Sequence, residues 1–205
     1  MSLTTAFQAS LFRTPAAPKM GIVITGSNIG TLTFPSTPLT FGTTWRFKLR
    51  IRRHVDSLGQ TNYYIAQGPA SNWLFVFGFA GATYELFFGG DMNSSGTNKR
   101  VPTTVVNDLV YHTLEYTYAN GVFSCFMDDV FCSSVSGAFT ANSQASFQLG
   151  TGTFAGAIDY IFFESNGIKQ MELNFLEPSG ATFANTGTLG GSLNMVRVPG
   201  RELVN

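Results

Sequence analysis

The chain has 205 residues, of which only 12% are charged, and its twelve basic and twelve acidic side chains give a formal net charge of zero. A chain of this length can bury one continuous core without metals or disulfides, and a neutral chain has no electrostatic attraction to nucleic acid. Twenty Phe and 22 Gly favour strands and tight turns over helices. The composition predicts one all-β domain that does not bind nucleic acid.

Residues 1–20 contain prolines but no hydrophobic period, which predicts an arm that crosses another surface, or else a disordered tail. The segment lacks a basic stretch followed by an unbroken apolar core, so it does not resemble a secretory signal peptide. No apolar run reaches the roughly 18 residues that span a bilayer. We expect synthesis in a cytoplasm, no membrane association, and a single sandwich over residues 21–205.

Seven short strand signals follow the arm, bounded by Gly, Asn and Pro. The turns GPASN and AGA separate the later ones, and the polar loop DMNSSGTNKRVP closes this half of the chain. In order, the signals are GIVITG, TLTFP, PLTF, WRFKLRIRRH, NYYIAQ, WLFVFGF and TYELFFGG.

The segment WRFKLRIRRH has the clearest alternation in the sequence. Because successive strand side chains point to opposite faces, its apolar members are predicted to face the core: Trp45, Phe47, Leu49 and Ile51. The other face and the strand end would carry a basic stripe of Arg46, Lys48, Arg50, Arg52 and Arg53. The stripe is either an interface for an acidic glycan, an acidic neighbouring subunit or nucleic acid, or a device that keeps an exposed strand soluble and unpaired. The neutral chain argues against nucleic acid.

Residues 111–163 have the signals of a β-meander. The strand YHTLEYTY is followed by the turn ANG, by the hairpin VFSCFM, DD and VFCSS, and by FQLG and FAGAIDYIFF. In order and residue type this segment resembles the laminin G-like branch of the concanavalin A-like lectin/glucanase sandwiches. The matching positions are Tyr111, His112, Thr117, Tyr118, Asn120, Gly121, Asp128, Asp129, Leu149, Gly150, Phe154, Gly156, Ile158 and Asp159.

The resemblance implies a two-sheet antiparallel β-sandwich of the concanavalin A-like jelly-roll type. The later stretch MELNFLEPSGATFANTGTLGGSLN is similar to one that usually opens such domains, whereas here it lies near the end. Residues 171–205 are therefore expected to form a closing strand and tail, within this domain or against a neighbouring subunit. This fold hosts lectins, glycosidases, lyases and inert structural modules, so the resemblance leaves the function open.

Acidic residues give no catalytic motif. The E-x-D-x-x-E triplet of laminarinase-like relatives is absent, and the adjacent Asp128 and Asp129 are explained by a turn, whose backbone Asp tolerates. Long-range pairing could still bring together Glu85, Glu115 or Asp159. We expect no enzyme, with a polysaccharide hydrolase or lyase of atypical site kept as an alternative.

A two-residue turn at Asp128 and Asp129 would place Cys125 directly opposite Cys132. The Cα atoms of such a pair lie about 5.5 Å apart, which is within disulfide range but often requires strain. A cytoplasmic origin also favours thiols. We expect two reduced cysteines on adjacent strands.

Metal ligands are sparse in the sequence. His54 and His112 lack a Cys or His at metal-ligand spacing, so neither zinc nor any other cofactor is predicted. Many laminin G-like and pentraxin-like domains hold calcium, and the resemblance therefore implies calcium as an alternative. Its ligands would come from Asp91 with Asn93, or from Asp159.

A sugar site would combine an exposed aromatic ring with amide or carboxylate side chains. The nearest approach to that mixture lies in and beside two strand signals and the polar loop. Its members are Tyr63, Tyr64, Asn72, Trp73, Asp91 and Asn93.

The leading functional hypothesis is a non-enzymatic virion protein of a phage or virus. It would be a decoration, fibre or tail-associated subunit that serves particle assembly or host-surface attachment, with other virion subunits and a cell-surface glycan as partners. A neutral chain also permits self-association, for which a homotrimer is the first guess. The alternative from another class is a carbohydrate-binding module or adhesin from a cellular source.

Overall fold

The computed structural model describes residues 20–25, 30–53, 62–67, 76–80, 85–89, 109–137, 143–149, 155–175, 180–196 and 199–204. These residues form seventeen strands and no helix. The strands are β1 (Met20–Thr25), β2 (Gly30–Thr33), β3 (Leu39–Thr40), β4 (Trp45–Arg53), β5 (Asn62–Gln67), β6 (Val76–Ala80), β7 (Glu85–Gly89), β8 (His112–Ala119), β9 (Val122–Met127), β10 (Val130–Ser136), β11 (Ser143–Gln144), β12 (Ser146–Leu149), β13 (Ala155–Ser165), β14 (Ile168–Asn174), β15 (Thr182–Ala184), β16 (Ser192–Met195) and β17 (Gly200–Leu203).

Two large antiparallel sheets enclose the core. Sheet I has eight strands in the order β10-β9-β8-β4-β13-β1-β17, with β14 also paired to β13, and sheet II has seven in the order β15-β16-β2-β12-β5-β6-β7. One buried cluster joins side chains of both sheets, such as Phe47 and Phe163 of sheet I with Phe147 and Leu193 of sheet II. The prediction of an all-β, two-sheet antiparallel sandwich is confirmed.

Strand β4 lies in the middle of sheet I, between β8 and β13. Its predicted inward face is confirmed, because Trp45, Phe47, Leu49 and Ile51 are each at most 4% exposed. The idea that its cations keep an exposed strand unpaired is wrong, because both edges of β4 are hydrogen-bonded to neighbours. A sequence alternation fixes which side chains share a face, but strand order depends on long-range pairing.

The β9–β10 hairpin confirms the turn and corrects the cysteine register. Asp128 and Asp129 both have positive φ, 50° and 64°, as a two-residue hairpin turn requires. Beyond Phe131 a β-bulge shifts the pairing, so Cys125 lies opposite Ser133 instead of Cys132. Direct cross-strand pairing of the cysteines was therefore wrong, although they lie on adjacent strands and both pack against the core.

A second bulge occurs in β13. The pairing with β4 passes from Ile158–Ile51 to Tyr160–Arg50, which leaves Asp159 as the extra residue. Asp159 is only 3% exposed even though its neighbours Ile158 and Ile161 both face the core. This irregularity places a carboxylate in the middle of sheet I.

The C-terminal segment contributes strands to both sheets. β14 and β17 belong to sheet I, whereas β15 and β16 belong to sheet II. The guanidinium of Arg201 in β17 donates hydrogen bonds to the carbonyls of Phe175 (3.0 Å) and Gly180 (3.1 Å). In the part of the chain that the structure describes, no helix is long and apolar enough to cross a bilayer.

Candidate functional site

The outer face of sheet I carries the predicted basic stripe, and its cations are paired with carboxylates. Their side chains are 25–43% exposed, and each described one has a partner within 4 Å. The pairs are Lys48–Glu115 (2.7 Å), Lys48–Asp129 (3.7 Å), Arg50–Asp159 (2.7 Å), Arg52–Glu202 (3.4 Å), Arg46–Glu164 (3.5 Å) and Arg46–Glu115 (3.8 Å). The side chain of Arg53 lies outside the description. The stripe is thus charge-compensated, and its role as an interface stays a prediction.

Cross-strand register produces this compensation. Lys48 of β4 is directly opposite Glu115 of β8, and Arg46 is directly opposite Glu164 of β13. Opposite charges in such positions stabilise a sheet by roughly 0.2–1 kcal/mol per pair. The acidic partners are far from β4 in sequence, so the alternation of β4 alone could not reveal them.

A shallow depression opens in this face where β8, β4, β13 and β14 cross the centre of sheet I. Its volume is about 320 Å³. Its lining combines cations, carboxylates, a hydroxyl, a phenol and an amide: Lys48, Arg50, Thr113, Asp129, Asp159, Tyr160 and Asn174. We call these residues the outer-face depression.

The ion pair between Arg50 and Asp159 forms the floor of the outer-face depression. Asp159 is 3% exposed, and Arg50 Nη1 donates to its Oδ2 at 2.7 Å. A buried carboxylate is tolerated only when it is paired and hydrogen-bonded. Arg50 therefore neutralises the charge that the β13 bulge buries, and it also contacts Tyr111, whose ring centre is 5.2 Å from its guanidinium carbon.

Tyr160 is held at the β14 side of the depression by Glu172. The phenol donates to Glu172 Oε1 at 3.0 Å, and Glu172 Oε2 accepts hydrogen bonds from Lys169 and from Thr186 (2.9 Å). The hydrogen bond from Lys169 contributes most to lowering the pKa of Glu172. Burial, followed by the bond to Glu172, raises the pKa of Tyr160, so at neutral pH the pair consists of an ionised carboxylate and a neutral phenol.

The Tyr111 ring lies beside Arg50 on the outer face of sheet I and reaches Gly21 of β1. Burial contributes most to raising its pKa, and the neighbouring Glu202 raises it further. A Cβ on Gly21 would clash with the Tyr111 hydroxyl and come within 3.2 Å of the Ile158 carbonyl oxygen. A glycine at this position of β1 therefore lets the Tyr111 ring lie close against sheet I.

Two of the three acidic residues considered for catalysis are engaged in ion pairs. Glycosidases place two carboxylates on either side of a scissile bond, whereas here Glu115 is bonded to Lys48 and Asp159 to Arg50. The side chain of Glu85 lies outside the description. No group of three potential metal-ligating side chains occurs among the described residues, and Asp159, one suggested calcium ligand, is bonded to Arg50 instead.

The sugar-site residues predicted from the sequence are not tested by these contacts. Tyr63 and Tyr64 lie on β5 of sheet II, where their backbones pair with Phe79 and Gly78 of β6. Their side chains, and all of Asn72, Trp73, Asp91 and Asn93, lie outside the described residues. They stay predictions.

Sequence reasoning missed Thr113, Tyr160 and Asn174 as companions of Arg50. Tyr160 and Asn174 are cross-strand partners on β13 and β14, and Thr113 faces Arg50 from β8. Only the sheet register joins them. The one available signal was the Asp at 159 within the apolar run AGAIDYIFF.

No protein-family model matches this sequence, and no curated protein matches it. Solved structures do. The native heptameric SAP-like pentraxin from Limulus polyphemus aligns with a TM-score of 0.57 at 10% identity, over 87% of this chain and 95% of that chain. Domains LG4-5 of the mouse laminin α1 chain align with a TM-score of 0.56 at 12% identity, over 90% of this chain and 48% of that one.

The binding domain of botulinum neurotoxin serotype C1 is a third match, with a TM-score of 0.51 at 8% identity over 70% of this chain. This chain spans less than half of the laminin fragment and of the toxin domain. Similarity at this level of identity establishes the fold alone. The sandwich is a concanavalin A-like jelly roll, as the sequence resemblance implied.

Proposed function

We propose that this chain is a non-catalytic saccharide-recognition module and that the outer-face depression holds the sugar. The observation that carries the proposal is the set of donors and acceptors that converge there, already fixed by ion pairs. Lys48 and Arg50 offer charged donors beside the carboxylates of Asp129 and Asp159. Adjacent hydroxyl groups of a sugar can donate to such a carboxylate and accept from its cation at once.

Fixed side chains favour binding because less conformational entropy is lost when the ligand arrives. Hydrogen bonds to charged groups are also shorter and about twice as strong as neutral ones. Asn174 and Thr113 add an amide and a hydroxyl at the two sides of the depression. This combination suits a polyhydroxylated ligand better than an apolar one.

Titration of the native protein with a panel of neutral and acidic polysaccharides tests the proposal. Asn174→Ala removes one hydrogen-bonding group, worth about 0.5–1.5 kcal/mol, and we expect it to weaken binding about threefold to tenfold. Asn194→Ala is the matched control, because Asn194 is also an exposed strand residue but lies on β16 of sheet II. The same loss in both variants, or no sugar binding by the native chain, would contradict the proposal.

Two biological settings fit such a module, and one is the virion. A decoration, fibre or tail-associated subunit would use the site for host-surface attachment, after synthesis in the host cytoplasm. The observation that favours this setting is a set of exposed apolar side chains on a neutral chain, which suits contacts with other subunits. They include Ile168 (55% exposed), Leu203 (51%) and Val196 (73%).

A carbohydrate-binding module or adhesin from a cellular source fits the same site equally well. The genes that neighbour this one separate the two settings. Capsid or tail genes beside it support the virion setting, in which we expect a closed homo-oligomer, with a trimer as the first expectation. A position within a longer multidomain gene supports the cellular module.

A further inference from the structure

A row of cross-strand neighbours runs across the outer face of sheet I. Each member is directly opposite the next, from β10 through β9, β8, β4 and β13 to β14. The members are Phe131, Phe126, Glu115, Lys48, Phe162 and Glu172. With strands about 4.8 Å apart, the row is roughly 24 Å long.

The β10 end of the row is aromatic and open. Phe126 and Phe131 meet edge to face with ring centroids 5.7 Å apart, and Phe131 is 56% exposed. Phe162, farther along the row, is instead covered by the Arg46 guanidinium at 5.1 Å and is 8% exposed. The ring surface available in this row is therefore concentrated at Phe131.

The row joins this aromatic end to the outer-face depression through Lys48, which belongs to both. Asp129 of the depression is only two residues from Phe131, but Asn174, on the far side of the depression, lies on β14, five strands away from β10. Five strand spacings are about 24 Å, so a single sugar ring cannot reach both Phe131 and Asn174. Only an extended chain of several sugars, lying across the strands, could contact both together.

The charges along the row also restrict the ligand. Lys48 is shared by Glu115 (2.7 Å) and Asp129 (3.7 Å), and Arg50 is bonded to Asp159. These cations are already compensated, so an anionic glycan would gain little attraction and would meet the carboxylates. Strands β9 and β10 contain no charged residue at all.

We infer that the ligand is a linear, neutral oligosaccharide and that Phe131 forms a second subsite, on which the apolar face of a sugar ring stacks. This inference rests on the proposed saccharide-recognition function. It adds a minimum ligand length, a preference for uncharged sugars, and a specificity-determining residue outside the outer-face depression.

Calorimetric titration with a length series of neutral linear β-glucan oligosaccharides, from disaccharide to hexasaccharide, tests the inference. Phe131→Ala removes a ring that is half exposed and should therefore weaken binding of the hexasaccharide about fivefold. The same variant should leave the affinity for the disaccharide unchanged. Phe131→Tyr retains the ring and should restore binding. Val130→Ala is the matched control, because Val130 is 67% exposed on the same hairpin. It pairs with Met127, which packs against the core, so Val130 belongs to the other face of the strand from Phe131.

Each alternative outcome is distinguishable. Binding that needs Asn174 but is equally strong in Phe131→Ala would overturn the second subsite and leave the proposed function intact, whereas no sugar binding by the native chain would overturn both. A preference for acidic polysaccharides that disappears with added salt would contradict the neutral ligand. If Phe131→Ala instead lowers the molar mass in solution, Phe131 is a contact between two copies of this chain and the inference fails.

Discussion

Replacing Arg50 by Met should expose the energetic cost of the carboxylate that the β13 bulge buries. Asp159 is 3% exposed and Arg50 donates to it at 2.7 Å, so the variant leaves an acidic group without its cation. Breaking a fully buried pair costs about 3–5 kcal/mol. Because the Arg50 side chain is 33% exposed, we expect a smaller loss of unfolding free energy, about 2–3 kcal/mol.

Urea unfolding measures this loss, and Trp fluorescence reports it because Trp45 is buried in the core. With a dependence of about 2–3 kcal/mol per molar urea, the midpoint should fall by roughly 1 M. Arg46→Met is the matched control, since Arg46 is 43% exposed and lies 3.5 Å and 3.8 Å from its carboxylates. A surface pair of this kind contributes about 0–1 kcal/mol.

A double-mutant cycle decides whether the effect comes from the pair. Asp159→Asn removes the charge, so adding Arg50→Met to it should cost about 1–2 kcal/mol less than in the native background. Losses that add within about 0.5 kcal/mol would show that Arg50 and Asp159 do not act together, and the account of the depression floor would be wrong.

Four further outcomes follow from the described contacts. Phe47→Ala should lower the unfolding free energy by about 3–5 kcal/mol, because Phe47 is 1% exposed; a loss below about 1 kcal/mol in urea unfolding would mean that β4 faces the other way. Asn185→Ala should lower the unfolding free energy by about 2–3 kcal/mol, since the Asn185 side-chain amide is hydrogen-bonded to the backbone of Glu172, Gly187 and Gly190. In the same thermal unfolding measurement, Asn194→Ala should be nearly neutral. The pKa of Glu172 is lower in the folded chain than its ordinary value of 4.5. Its contribution to the unfolding free energy is therefore present above that value and is lost as the pH falls through the folded-state pKa. Glu172→Gln should flatten the acid side of the profile of stability against pH, and an unchanged profile would contradict the hydrogen-bond network around Glu172. Burial raises the pKa of Cys125 to about 12, so a thiol reagent should modify the half-buried Cys132 of the native protein first. After denaturation without reductant, thiol titration should count two thiols. A count of zero would refute the reduced state.

The sequence was sufficient for features that depend on local chemistry. Alternation alone identifies Phe47 and Leu49 as core residues of β4, because a strand repeats every two residues. Asp128 and Asp129 mark a hairpin turn, since they accept positive φ. The meander that contains them also indicated the fold.

The bulges could not be foreseen in the same way. An extra residue in one strand is defined against its partner, so the register changes at Cys132 and at Asp159 appear only when β10 meets β9 and β13 meets β4. The first change corrects the cysteine pairing. The second creates the acidic floor of the candidate site.

For the basic stripe, the sequence predicted which side chains of β4 share a face but not their acidic partners. Considered alone, β4 has four outward cations, and Arg50 looks as replaceable as Arg46. The neighbouring strands supply Glu115 and Asp159, which turn an apparently basic surface into paired charges. Sequence distance hides such partners, because they meet only through long-range strand pairing.

Backbone amide chemical-shift mapping during titration with a neutral β-glucan hexasaccharide tests the central claim most directly, and it is practical for a 22.2 kDa chain. The account predicts that the largest shifts fall on sheet I around Lys48, Arg50, Thr113, Tyr160 and Asn174, with a second group at Phe131. Shifts confined to strands β2, β15 and β16 of sheet II, or no shifts at saturating sugar, would contradict it.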